Sequence, residues 1–138
     1  MSDRTQPIHA DRYWNDTGIR LVGGAQYRMT LVPGVGEPLK DASFTARSIA
    51  GEDWHSLPHK TASLVHGKRK DDARWFALIG TVDKEHPWVI VDGGIVTSPA
   101  DGPLMCYFND VQLELFYRNN SGWVVLDVEQ VAPSATAR

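Results

Sequence analysis

Hydrophobic and polar residues alternate along this chain in short runs that end at glycine, proline or asparagine. The run Gln26 to Val32 is the clearest case. Its Tyr27, Met29 and Leu31 fall on one face, and polar residues fall on the other. A period of two residues is that of a β-strand with one buried face. Other short runs rich in apolar residues also predict strands, at Ile19–Val22, Trp75–Val82, Trp88–Asp92, Leu104–Phe108, Leu113–Tyr117 and Trp123–Val128.

About seven short strands separated by turn-forming residues predict an all-β fold, a sandwich or jelly roll of two antiparallel sheets. The strands Leu113–Tyr117 and Trp123–Val128 flank Arg118-Asn119-Asn120-Ser121-Gly122, which predicts a hairpin. The length of 138 residues suits one domain. We expect residues 12–131 to form this domain, with a frayed N-terminus at 1–11 and a flexible tail at 132–138. Residues 37–74 are polar and mixed, and they predict a long irregular insert.

The charge and the terminal sequence exclude several classes of partner. The net charge of −3 does not favour nucleic acid or an anionic membrane. The N-terminus has no apolar signal-peptide region, and no apolar run is long enough to span a bilayer. We therefore expect a cytoplasmic protein without membrane insertion, with a leaderless export route left open. Lys68-Arg69-Lys70 is followed at once by Asp71-Asp72, which predicts a solvated turn.

The cysteine and histidine residues do not by themselves indicate a disulfide or a defined metal site. The single cysteine, Cys106, excludes an internal disulfide and is interpreted as a small buried apolar residue. His55, His59 and His66 lie close together, but Leu57-Pro58 argues against the helix that would place two of them on one face. Surface-loop histidines are the simplest interpretation. A metal site or a ligand contact remains an alternative.

Motifs for catalysis are missing from the sequence. It contains no G-x-S-x-G elbow, Walker A loop or H-E-x-x-H pair. Gly34 to Leu39 begins like a dinucleotide fingerprint but lacks the third glycine. Acidic residues are present for glycoside cleavage, but no pair of them can be placed across a cleft from sequence. We therefore predict that the protein is not an enzyme.

The residue types toward the C-terminal end suit a calcium ion. Asp110 follows a predicted strand, and Asn119 and Asn120 lie at the predicted hairpin turn. They offer one carboxylate and two amide oxygens, which are ligands that calcium prefers. The alternative is purely structural. Asn-Asn-Ser-Gly is a favourable turn sequence, and Asp110 is able to cap a turn.

A resemblance to a known family rests on four segments, which are Ala77-Leu78-Ile79-Gly80, Gly102-Pro103-Leu104, Phe108-Asn109-Asp110-Val111 and Tyr117-Arg118-Asn119-Asn120-Ser121-Gly122. In this order they resemble the C-terminal half of the galactose-binding-like jelly-roll family that includes calcium-dependent, galactose-specific bacterial lectins. The resemblance implies a galactose-binding-like β-sandwich, a bound calcium ion, a galactose-type saccharide or glycan as partner, and a homo-oligomer. Calcium in that family lies at one end of the sandwich and holds two sugar hydroxyls.

Carried over by position, the family's metal ligands match the side chains of Asp110, Asn119 and Asn120. The resemblance also implies two main-chain carbonyl ligands, one at Leu115 or Phe116 and the other around Gly36-Glu37. Asp110 and Asn119 would also contact the sugar. His55 or His59, near Trp54, is the guess for a sugar-contacting group, since a Trp face and a hydroxyl partner suit a sugar ring.

The sequence departs from the family's pattern in two places. The connection Gln112 to Phe116 is longer and more apolar than in the family, so either the Asn pair moves away from Asp110 or the extra residues bulge outward. The loop Pro33 to Gly36 lacks the family's aromatic pattern. A second hypothesis follows: a β-sandwich that has lost metal and sugar binding and serves as an interaction or oligomerisation domain.

Overall fold

Buried and exposed side chains alternate along most strands of the protein, and these strands form two antiparallel sheets. The computed structural model describes residues 4–54 and 67–133. The strands are β1 (Thr5–His9), β2 (Asn15–Leu21), β3 (Gln26–Leu31), β4 (Glu37–Asp41), β5 (Phe44–Ala46), β6 (Leu78–Thr81), β7 (Trp88–Val89), β8 (Gly94–Thr97), β9 (Gly102–Phe108) and β10 (Asn120–Ala132). A 3-10 helix, η1 (Glu114–Asn119), precedes β10. The predicted all-β sandwich is confirmed.

The larger sheet is organised around β10. Its strand order is β5-β4-β10-β3-β8, and β1 also pairs with β10. The register places Asp127 of β10 opposite Thr5, and it places Asn120 opposite Asp41. The smaller sheet has the order β2-β9-β6-β7. Strand β10 therefore pairs with β1, β3 and β4 and joins the N-terminal strand to the rest of the larger sheet.

The core lies between the inner faces of the two sheets. Tyr27 and Met29 of β3 face Leu104, Cys106 and Phe108 of β9 within one buried apolar cluster. The spacing of two residues is the one that the sequence shows. Cys106 is fully buried, which confirms its interpretation as a small apolar residue. Burial also raises the pKa of its thiol well above the ordinary value.

The two ends of the domain are more ordered than the sequence suggests. The predicted fraying is wrong for Thr5–His9, because this segment pairs with β10 and buries Ile8 completely. Arg4 adds ion pairs at 2.7 Å to Asp127 and 2.9 Å to Glu129. At the other end, β10 includes Ala132, the first residue of the predicted tail. Pairing with neighbouring strands therefore gives both ends regular structure despite their polar composition.

Within residues 37–74, the prediction of an irregular insert is wrong at its start. Glu37–Asp41 and Phe44–Ala46 form a β-hairpin, in which Asp41 lies opposite Phe44. Two isolated bridges, Glu52 with Trp75 and Lys68 with Val111, tie the described remainder to the sandwich. The alternation of Leu39 and Asp41 as buried residues marks β4.

Three predictions of local structure are corrected. Residues 113–117 are not a strand, because η1 occupies this segment, and the hairpin with Trp123–Val128 is absent from the described residues. The predicted strand Trp75–Val82 is shortened to Leu78–Thr81 because Phe76 has a φ of 61°, which interrupts an extended chain. Strand β8 was not predicted from the sequence.

Within the described ranges 4–54 and 67–133, no helix is long and apolar enough to cross a membrane.

Candidate functional site

The residue that begins the Asn109-Asp110-Val111 motif is a structural anchor. Asn109 is fully buried just after β9, and its side chain holds the loop of residues 70–74. Its Oδ1 accepts a hydrogen bond from the Lys70 amide at 2.9 Å. Its Nδ2 lies 2.9, 3.2 and 3.0 Å from the carbonyl oxygens of Lys70, Ala73 and Arg74. Both ends of this amide group are therefore satisfied by the protein.

Asp110 lies in the interior at the end of the sandwich. It is 2% exposed, although ionised carboxylates are rarely buried to this extent. Its Oδ1 accepts a hydrogen bond from the Val111 amide at 2.7 Å, and its Oδ2 accepts one from Asn120 Nδ2 at 2.9 Å. Its backbone carbonyl accepts the Arg69 amide at 2.9 Å. The residue is thus held by its own neighbour and by two other segments, the start of β10 and the loop that carries Arg69.

Asn120 is the first residue of β10 and is 5% exposed. Its Nδ2 donates to Asp110 Oδ2 and also lies 3.2 Å from the Ala10 carbonyl. Two acceptors on one side define which end of the amide is nitrogen, since a flipped group would set oxygen against oxygen. Asn120 Oδ1 is buried and has no hydrogen-bond partner within the described part of the chain. A buried acceptor without a partner is unfavourable and calls for an explanation.

The two side chains are close enough to share a cation. The nitrogen and oxygen of one carboxamide are about 2.3 Å apart, so Asn120 Oδ1 lies within about 5 Å of Asp110 Oδ2. An ion that binds oxygens at about 2.3–2.6 Å is able to bridge a pair at that separation. A buried carboxylate beside an unpartnered amide oxygen is a donor set that fits a hard cation such as calcium.

Helix η1 carries the chain from Asp110 back to Asn120. Tyr117, the buried residue of this helix, donates a hydrogen bond from its hydroxyl to the Phe108 carbonyl at 2.6 Å. The Asn120 amide caps the helix on the Tyr117 carbonyl. Burial raises the pKa of Tyr117 well above its ordinary value, so the hydroxyl keeps its proton. The additional residues of this connection form the helix and leave Asn120 in contact with Asp110.

Arg69 supports the same region from an aromatic box. Its guanidinium lies 3.6 Å from the ring centroid of Tyr13, 3.5 Å from that of Tyr107 and 4.4 Å from that of Trp14. It also donates to the Tyr13 carbonyl and, at 3.2 Å, to the Tyr117 hydroxyl. The predicted solvated turn at Lys68-Arg69-Lys70 is therefore wrong for Arg69, because cation–π and hydrogen-bond contacts hold its charge between the rings.

The other predicted metal ligands lie further along these elements. Asn119 is exposed at the end of η1, and its carbonyl accepts the Ala42 amide at 2.9 Å. Phe116 is an exposed residue of the same helix. Glu37 is exposed and lies opposite Trp123, at the far end of β4 from Asp41. Of the predicted ligand side chains, the structure brings Asp110 and Asn120 into direct contact.

Asp41 is a neighbour of this pair that the sequence did not indicate. It lies directly opposite Asn120 in the ladder between β4 and β10, and it is 9% exposed. The hydrogen bond from the Ala42 amide to the Asn119 carbonyl makes Asp41 and Asn120 a non-hydrogen-bonded pair, the type with the closer side chains. An acidic residue at an inward position of an alternating strand is the signal that identifies it.

Trp54 lies beside this region but packs inward. Its ring contacts Phe44 at 5.7 Å and Phe76 at 5.5 Å between centroids. Phe44 is the cross-strand partner of Asp41, so the Phe44–Trp54 pair lies next to the Asp41 position. His55 and His59, the predicted sugar-contacting residues, lie outside the described residues.

A site built on histidine or cysteine is not found in the described ranges. Within residues 4–54 and 67–133, no group of three or more His, Cys, Asp and Glu side chains could hold a metal ion. The cluster at the end of the sandwich is of another kind, because one of its oxygens belongs to an asparagine.

Comparisons with known proteins give a relationship in fold. No family model matches the sequence, and no curated protein matches it. Among solved structures, the N-terminal domain of EclA, described as a PllA-like lectin, superposes with a TM-score of 0.62 at 15% sequence identity. The match covers 94% of this chain and 99% of that domain. The protein therefore shares the β-sandwich fold of a lectin domain.

Proposed function

We propose that the protein is a calcium-dependent carbohydrate-binding module that takes a galactose-type saccharide. One observation carries this proposal. Asn120 Oδ1 is a buried acceptor without a partner in the described chain, and it lies beside the buried carboxylate of Asp110. Such a group needs a cation or a donor to offset the loss of its hydration. The lectin fold of the matching domain gives independent support.

The chain's own residues would hold the ion at the end of the sandwich. Asp110 supplies negative charge and Asn120 supplies a neutral oxygen, while Asn119 stands next to them on the exposed side. When bound, calcium offers open coordination positions that neutral oxygens such as sugar hydroxyls are able to fill. The half-buried ring of Trp54 packs against Phe44, the cross-strand partner of Asp41, and its exposed part would meet the apolar face of a sugar.

Calorimetric titration of calcium into chelator-treated protein tests this proposal. We expect binding that tightens in the presence of excess galactose, and we expect Asp110→Asn to weaken calcium binding at least tenfold because it removes the charge. Glu85→Gln is a matched control, since it removes one charge from an exposed turn of the other sheet. Glucose, which differs from galactose at one hydroxyl, tests the saccharide preference.

Absence of calcium binding by the wild-type protein would overturn the proposal. The better-supported function would then be that of an interaction or oligomerisation domain, and one observation favours it. Val91 and Ile95 are 64% and 53% exposed near the edge strands β7 and β8. Analytical ultracentrifugation of the wild-type protein and of Ile95→Ser tests that function, and a self-association lost in the variant supports it. We also propose that the carbohydrate-binding module forms homo-oligomers, in which several weak sites would act together on one glycan.

A further inference from the structure

We infer that Asp41 is a second carboxylate ligand of the same cation. The inference rests on the proposed function and makes it more specific. With Asp110 and Asp41 both present, the chain itself supplies two negative charges, which balance a divalent ion. The protein would then hold calcium before a saccharide arrives, and the saccharide would bind to an ion already in place.

The first line of support is the strand register. Asp41 and Asn120 are direct partners in the ladder of β4 and β10. They form a non-hydrogen-bonded pair, because the adjacent pair carries the hydrogen bond from the Ala42 amide to the Asn119 carbonyl. The Cβ atoms of such pairs are about 4.5–5.5 Å apart, so the two side chains lie within reach of one ion.

The second line of support is the direction in which Asp41 faces. Leu39, two residues earlier on β4, is buried in the core, and a period of two places Asp41 on the same inner face. Asn120 is also buried, and its amide nitrogen already contacts Asp110. The unpartnered Asn120 Oδ1 thus belongs to a side chain that has one carboxylate in contact and another directly across the ladder.

Electrostatics make this arrangement sensitive to the charge of the ion. Two carboxylates close together in a buried site repel each other, and a cation between them relieves that repulsion. Binding should therefore strengthen with ionic charge, from calcium to a trivalent lanthanide such as terbium. The strengthening should depend on Asp41 as well as on Asp110.

Calcium titration by calorimetry, without saccharide, tests the role of Asp41. We expect Asp41→Asn to weaken calcium binding at least tenfold and to weaken terbium binding by a larger factor, since the lost attraction scales with ionic charge. Asp110→Asn should show a comparable loss, and the control Glu85→Gln should bind as the wild type does. Asp41→Glu, which keeps the charge, should retain more affinity than Asp41→Asn.

The outcomes separate the inference from the proposed function. If Asp110→Asn loses calcium while Asp41→Asn binds like the wild type, the proposed function stands and the role of Asp41 is overturned. If the wild-type protein binds neither ion, both fail. Equal factors of loss for calcium and terbium in Asp41→Asn would indicate a structural disturbance and also overturn the inference. Circular dichroism of each ion-free variant verifies the fold, and Asp41→Ser is the second neutral variant if Asp41→Asn does not fold.

Discussion

Two buried asparagines, Asn109 and Asn120, flank η1 and differ in how completely the protein satisfies them. Asn109 uses its oxygen and its nitrogen in four hydrogen bonds to backbone groups of residues 70–74. Asn120 uses its nitrogen toward Asp110 and Ala10, and its oxygen has no partner among the described residues. The same side chain is therefore a structural anchor at one position and a candidate ligand at the other. The residue type is the same at both positions, and the roles differ in whether both ends of the side-chain amide have hydrogen-bond partners.

The largest expected effect is the loss of the anchor. Asn109→Ala should lower the free energy of unfolding by about 3–4 kcal/mol, because it leaves the carbonyls of Lys70, Ala73 and Arg74 without their shared donor. Urea unfolding followed by tryptophan fluorescence measures this loss. A loss no larger than that of Asn120→Ala would break the comparison.

A smaller loss is expected when the aromatic box is emptied. Arg69→Met should lower the free energy of unfolding by about 2 kcal/mol, since it removes the cation from between Tyr13 and Tyr107 and the hydrogen bond to Tyr117. The same urea measurement applies, with Arg28→Met on the exposed side of β3 as the matched control. Calcium affinity should also fall, because the lost side-chain contacts to Tyr13 and Tyr117 position the backbone whose amide donates to the Asp110 carbonyl. Equal stability of the two variants would contradict this role of Arg69.

The next effect concerns the unsatisfied asparagine. In ion-free protein Asn120→Ala should lower the free energy of unfolding by about 1 kcal/mol, because the lost donor is partly offset by removal of the orphan oxygen. In saturating calcium the gap to the wild type should widen, since only the wild type gains from the ion. Thermal unfolding with and without calcium measures both quantities. A gap that does not change with calcium would count against a ligand role for Asn120.

The smallest effect is expected at an exposed polar pair, which sets the scale for the buried ones. Asp83 and His86 contact each other at 2.6 Å in the turn between β6 and β7. Their hydrogen bond raises the pKa of His86 above 6.5 and holds the pKa of Asp83 below 3.8. The His86 contribution is complete below about pH 6.5 and is lost as the pH rises through the raised pKa. The Asp83 contribution is complete above about pH 4 and is lost as the pH falls through the lowered pKa.

The difference in Tm between the wild type and His86→Gln should therefore be largest between about pH 4 and pH 6.5 and should shrink toward pH 8. Thermal unfolding at low ionic strength across this range checks the expectation. Since solvent screens the pair, 1 M salt should reduce the difference. A difference that is constant with pH would show that the pair does not contribute through its charges.

Those parts of the fold that depend on local pattern were predictable from the sequence. The alternation in Gln26–Val32 and the apolar run in Leu104–Phe108 are visible directly, and the strands found there supply core residues from both sheets. Strand β1 was missed because its order comes from pairing with β10, which is distant in sequence. The segment Leu113–Tyr117 was predicted as a strand, yet it lies largely in a 3-10 helix, where Tyr117 donates a hydrogen bond to the Phe108 carbonyl. Tertiary contacts outweigh propensity at both places.

For the candidate site, residue chemistry was more informative than spacing. Asp110 and Asn120 were predicted from their residue types, and the structure places them in contact, with Asn120 Nδ2 at 2.9 Å from Asp110 Oδ2. Asp41 was not, because its position depends on the register between β4 and β10, which sequence does not specify. The aromatic box around Arg69 was not predicted for a similar reason, because its rings come from segments that are far apart in sequence. They are Tyr13, Trp14, Tyr107 and Tyr117.

The central position of β10 has a consequence for the order of events during synthesis. Strands β1, β3 and β4 emerge from the ribosome well before β10, and all three take it as a hydrogen-bonding partner. Until β10 has been synthesised, the larger sheet lacks its central strand. Strands β1, β3 and β4 then each have an edge without its hydrogen-bonding partner. Asn120 begins β10, so under the proposed function the cation would not act as an early nucleus for folding. A cation would then bind late, to a chain whose sheets are already complete.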